Sequence, residues 1–196
     1  MPNRKKLRRS LVTATGSGEI VRLDRVSRPG QQFAGFVVAV GRRWVLLARV
    51  MDGGFFDGHV AVRLREIARV RPDRSFERAF ARTQPEWPPA PPDVLGVLDL
   101  DSTAGVLTSL LEPGAIFGIE QDRKYDAVWI GVPHKLTKRW LYIWEARPDG
   151  TWHDEPRGYR RNRITVVVMG DHYQVGLSGI AGPPPEGASD ASWAAR

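Results

Sequence analysis

The chain has 196 residues, 42% hydrophobic and 26% charged, proportions that point to a packed globular core and away from disorder. It lacks cysteine, which excludes disulfides and thiolate chemistry, and no apolar run approaches the ~18 residues that span a bilayer, so a cytoplasmic protein is expected. The net charge of +7 is uneven: residues 1–92 hold 18 Lys/Arg against 8 Asp/Glu, residues 93–196 hold 11 against 14. A basic first half attracts polyanions, so nucleic acid is one partner class to consider.

In chain order, residues 1–15 form a basic N-terminal arm carrying Arg4, Lys5, Lys6, Arg8 and Arg9. Residues 16–83 form a first β-rich unit. Within it, β-branched and aromatic runs between glycine and aspartate breakers predict strands at Phe36–Val40, Trp44–Val50 and His59–Arg65. Asp52-Gly53 suits a hairpin turn because glycine adopts positive φ without steric cost. In FFDGHVAVRLREIARV, period-two alternation puts Val60, Val62 and Leu64 on a core face and Ala61, Arg63 and Arg65 on a wet one. The alternation breaks at Glu66, which predicts a bend that closes a small barrel or starts a new strand. Strand Trp44–Val50 begins apolar on both sides and is expected to be central. A short helix follows at Ser75–Thr83.

The prolines of QPEWPPAPPD, residues 84–93, make a stiff linker, since clustered prolines continue neither helix nor central strand. Residues 94–180 form a second unit, with a helix at Ser102–Leu111 capped by Asp101 or Ser102. Strands follow at Val128–Val132, Trp140–Ala146 and Tyr159–Val168. Residues 181–196 have the Pro, Gly, Ala and Ser content of a disordered tail, with Trp193 its one large side chain.

The two units share a spacing. Asp52-Gly53 precedes Ile67 by the same interval that separates Asp149-Gly150 from Ile164, Val70 then falls on Val167, and Phe76 on Tyr173. Fixed offsets of this kind mark an internal duplication. The expected fold is therefore mainly β, two similar small barrel repeats with short helices, joined by the Pro-rich linker.

GFVVAVGRRWVLLARV and FFDGHVAVRLREIARV resemble the two signature segments of Sm-like small β-barrels. Gly35 and Leu46-Leu47 match the first; Gly58, Val60, Val62, Arg63 and Ile67 match the second; Gly158, Arg160 and Ile164 carry the likeness in the other half. The tandem plan ending in ITVVVMGDHY also resembles a group of uncharacterised bacterial two-repeat proteins, a likeness that implies no particular activity. The Sm-like resemblance implies single-stranded RNA binding through an Asn in the first segment and an Arg-Gly pair in the second. Here apolar residues of WVLLARV hold the Asn position, and Leu64 follows Arg63.

Candidate sites divide into two surfaces and a loop. Arg42, Arg43, Arg63, Arg65, Arg69 and Arg71 compose a guanidinium face for phosphates, with Trp44 offering a stacking plane. Trp140, Trp144, Trp152 and Tyr159 compose an aromatic surface for a partner; Trp140, Tyr142 and Trp144 share one strand face. His153, Asp154 and Glu155, with Tyr159 and Arg160, are the residues an enzyme would use in the 152–160 loop. No sequence motif points to a metal or cofactor. The leading expectation is a non-enzymatic binding or scaffold protein; nucleic-acid binding through the basic first unit, an enzyme at the 152–160 loop, and assembly with a second copy or a protein partner are the alternatives.

Overall fold

The structure is a computed structural model and describes residues 4–92, 97–122 and 127–188. Helix α1 (Arg4–Ala14) leads into strands β1 (Ile20–Arg25), β2 (Gln32–Val40), β3 (Trp44–Val50) and β4 (Phe56–Arg63), then a 3₁₀ turn (Leu64–Glu66), β5 (Ile67–Pro72) and α2 (Glu77–Ala81). The same order then recurs. Helix α3 (Thr103–Leu110) is followed by β6 (Phe117–Gln121), β7 (Trp129–Leu136), β8 (Trp140–Glu145) and β9 (Arg157–Arg160), a 3₁₀ turn (Arg161–Arg163), β10 (Ile164–Met169) and α4 (His172–Ala181).

The chain is mainly β, and its ten strands form one antiparallel sheet in the order β5-β1-β2-β3-β4-β10-β6-β7-β8-β9. Each half contributes five consecutive strands in matching order, and the halves join where β4 pairs with β10. The irregularities recur too. Val38 in β2 and His134 in β7 are skipped by the ladder at corresponding bulges, as are Ala68 in β5 and Thr165 in β10. Bulges bend and twist strands, so each half curls in the same place.

The two largest apolar cores lie on opposite faces of the joined sheet. One gathers Leu7 and Leu11 of α1 with Leu23, Val45, Leu47, Val60, Val62 and Ile67, and it takes Val166 and Val168 from β10. The other gathers Val106, Leu107 and Leu110 of α3 with Ile119, Leu141 and Ile143, and it takes Trp44, Leu46 and Ala61 from β3 and β4. Each half thus completes the other's core. Burying one Val or Leu side chain contributes about 1.5–3 kcal/mol, so this exchange is a principal tie between the halves. It also explains why WVLLARV is apolar on both faces: Trp44, Val45, Leu46 and Leu47 are all 0% exposed.

A buried ion cluster spans the junction as well. Arg25 of β1 lies 2.7 Å from Glu120 of β6 and 3.4 Å from Glu66 in the 3₁₀ turn, while Arg28 reaches Glu120 at 3.2 Å. Such charges add little net stability, because desolvation offsets attraction, but removing one partner strands the other. They therefore fix how the halves sit together.

The structure departs from several expectations. Residues 4–14 of the basic arm form a docked helix: Leu7 and Leu11, one turn apart, are buried while the cations face outward. The strand expected over His59–Arg65 ends at Arg63, where the 3₁₀ turn begins. The side of β4 read as wet is covered, with Ala61 at 0% and Arg63 at 8% exposure. The proline segment packs back on the first half, where Trp87 meets Phe36 edge-on at 5.2 Å and the Ala90 carbonyl accepts from His59 at 2.8 Å. Helix α4 occupies His172–Ala181, where no helix is expected from sequence. Trp193 lies outside the described residues. Among the described residues, no helix is long and apolar enough to cross a membrane.

Candidate nucleic-acid interface

The β4–β10 junction brings four basic turns to one end of the sheet. From the first half come Gly41-Arg42-Arg43 between β2 and β3 and the 3₁₀ turn after β4; from the second come Thr137-Lys138-Arg139 between β7 and β8 and the 3₁₀ turn after β9. The first of these is clamped to the second half. Its Trp44 amide donates to the Leu100 carbonyl at 3.1 Å and its Arg42 amide to Asp101 at 2.7 Å. A Cβ on Gly41 would stand 2.4 Å from the Leu100 backbone, so only glycine allows this approach. Ser102 caps α3 by accepting from the Gly105 amide at 2.8 Å.

Between the turns lies a cleft of about 440 Å³, lined by Arg43 and Arg63 from the first half, by Lys138, Arg139, Trp140, Arg160, Arg161 and Asn162 from the second, and by Ser102, Thr103 and Ala104 at the start of α3. A second cavity of about 450 Å³ adjoins it, lined by Arg4, Lys5 and Arg8 of α1 with Arg42, Arg43, Arg63 and Arg65. Arg43 and Arg63 border both, so the two form one basic strip.

Arg63 is the fixed point of the strip. Its guanidinium donates to the Asn162 carbonyl and to Thr103 Oγ1, both at 2.7 Å, and stands 5.6 Å from the Trp44 ring. These partners are neutral. Burial first, and then the nearby Arg65 and Arg43 cations, lower its pKa to about 10, against a smaller opposing pull from Asp122. The site therefore holds positive charge at a cost that a bound anion would relieve. Arg161 is anchored likewise by donation to the Thr137 carbonyl at 2.6 Å; its Nε is buried without a partner among the described residues, and burial lowers its pKa. Arg42 is paired with Asp101 at 2.7 Å and Arg65 with Asp122 at 2.9 Å. Arg43, Lys138, Arg139 and Arg160 are exposed and form no ion pair among the described residues.

Of the guanidinium face read from sequence, Arg42, Arg43, Arg63 and Arg65 come together here. Arg69 and Arg71 do not: they lie on edge strand β5, line neither cavity, and Arg71 is tied to Asp24 at 2.6 Å. Trp44 is fully buried and has no face to offer a base. Its counterpart is Trp140, which pairs with Arg160 across β8–β9 as Trp44 pairs with Arg63 across β3–β4. Trp140 is half-buried, lines the cleft and carries the Arg160 guanidinium 5.1 Å from its ring.

The aromatic surface separates in the same way. Trp144 is half-buried and meets His134 edge-on at 6.0 Å. Trp152 donates to the Ala181 carbonyl at 3.1 Å and so packs against the end of α4. Tyr159 is buried and turned inward, its hydroxyl donating to Glu145; burial and that carboxylate push its pKa up. In the 152–160 loop, Asp154 is fully exposed while Tyr159 faces the core, so these two do not converge on one site. Sequence reading missed Lys138, Arg139, Arg161 and Asn162. The shared spacing could have found them, since their turns occupy the same places in the element order as Gly41–Arg43 and Leu64–Glu66.

Comparison with protein-family models, curated proteins and solved structures gives no match.

Proposed function

We propose that the chain is a non-enzymatic binding scaffold of two Sm-like small-barrel units and that it holds single-stranded nucleic acid in the cleft between them. Support for the tandem comes from the repeated element order, the matching bulges and the corresponding Trp–Arg pairs. Support for the ligand rests on one observation: a cleft lined by cations from both halves, four of them without an ion-pair partner among the described residues. Guanidinium and ammonium groups in a groove track a phosphate backbone. Half-exposed Trp140 with Arg160 over it presents a plane for an unpaired base. The cleft has room for splayed nucleotides, whereas a duplex keeps its bases stacked inside.

Fluorescence anisotropy with a labelled oligouridylate tests this reading. Binding is expected at about 50 mM salt and should weaken steeply as salt rises. Arg139→Glu or Arg160→Glu should weaken it by about tenfold or more, and Arg69→Glu, outside the strip, should leave it unchanged. A chain that binds no oligonucleotide at low salt would reject the proposal.

A further inference from the structure

We propose that the two outer edges of the sheet, β5 and β9, are built to refuse each other, so that copies of the chain do not join head to tail into a longer sheet. This rests on the tandem reading above but not on its ligand. The argument starts from the internal junction, where β10 and β4 pair with Val166 opposite Val62, Val168 opposite Val60 and Met169 opposite His59. The valines there are 0–4% exposed.

A second copy could in principle repeat that junction, because β5 occupies in the first half the place of β10 in the second, and β9 the place of β4. The pairings of Trp44 with Arg63 and of Trp140 with Arg160 fix the correspondence of β4 and β9 residue by residue. Carried across, the internal register sets Arg69 opposite Tyr159, Val70 opposite Gly158, Arg71 opposite Arg157 and Pro72 opposite Pro156. Every feature that makes the inner junction is missing. Like charges directly opposite one another destabilise a ladder, and neither proline has an amide to donate. Arg69, Arg71, Arg157 and Gly158 are exposed, and Tyr159 is committed inward, so little apolar area remains to bury. Charges and prolines are the means by which sheets protect their edges from other chains.

Sedimentation velocity on the full chain, from about 1 to 100 μM, is the test. The wild type should remain one species at the 21.9 kDa mass of a single chain. A variant rebuilt toward the inner junction, Arg69→Val with Arg71→Val, Pro72→Met and Arg157→Val, should gain mass with concentration while keeping the wild-type circular dichroism. Arg157→Val alone, at an exposed position, should show the same trend more weakly and serves if the fourfold variant does not fold. Wild-type chains that assemble, or folded variants that stay single, would overturn the proposal. Neither result involves an oligonucleotide, so failure here is distinct from failure of the proposed ligand.

Discussion

At the scale of single residues, Arg63 shows how the site and the fold depend on one side chain. Its two donated bonds reach Asn162 and Thr103, both in the second half, so it is a structural tie as well as a cation. Replacing it with alanine removes both bonds and takes the donor from the buried Thr103 hydroxyl, while the Asn162 carbonyl keeps its bond from Arg65 at 2.9 Å; a loss of about 1–3 kcal/mol is expected in urea unfolding. Lysine should restore only part, since a point charge cannot serve two partners as a planar fork does. His59 makes a separate prediction. Burial lowers its pKa below the usual value, against a smaller opposing effect from its bond to the Ala90 carbonyl. The unfolded chain therefore takes up a proton more readily, and the resulting stability is present above about pH 6.5 and lost as pH falls through the lower folded-state value. Thermal midpoints should drop between pH 7.5 and pH 5.5, and less so in His59→Gln. Little of this was legible in sequence. Alternation placed Val60 and Val62 correctly, but it assigned Arg63 to solvent because period two cannot see a helix arriving from the other half.

At the scale of elements, the strands that read clearly were those with long β-branched or aromatic runs, such as Trp44–Val50, which the structure reproduces residue for residue. Strand β6, FGIEQ, was missed because its five buried residues include Glu120 and Gln121, whose burial depends on partners far along the chain. Helix α4 was missed because HYQVGLSGIA carries two glycines and weak helix formers; the Asp171 cap, accepting from the Gln174 amide at 2.7 Å, was its local signal. Helix α1 was mistaken for an arm because seven of its eleven residues, RKKLRRSLVTA, are cationic or hydroxylic, which masks the apolar pair. It forms despite cations in its first turn, where the helix dipole is also positive, so docking must hold it. Leu11→Ala, at a fully buried position, is expected to cost about 2–5 kcal/mol in denaturant unfolding. A matching change at exposed Val12 should cost far less.

At the scale of the whole molecule, the shared spacing was the most informative feature of the sequence, since Ile67 and Ile164 each begin the strand that follows a 3₁₀ turn. What the spacing could not convey was the junction. Pairing of β4 with β10 is a contact between distant segments, and it converts two basic turns per half into one strip of charge. The cleft exists only because the halves share a sheet. The most direct test of this account is the slope of log affinity for a single-stranded oligonucleotide against log salt. Four phosphate contacts, from Arg43, Lys138, Arg139 and Arg160, should give a slope of about −3, and Arg139→Gln should reduce its size by about 0.7. A slope near zero, or one that Arg139→Gln leaves unchanged, would contradict it.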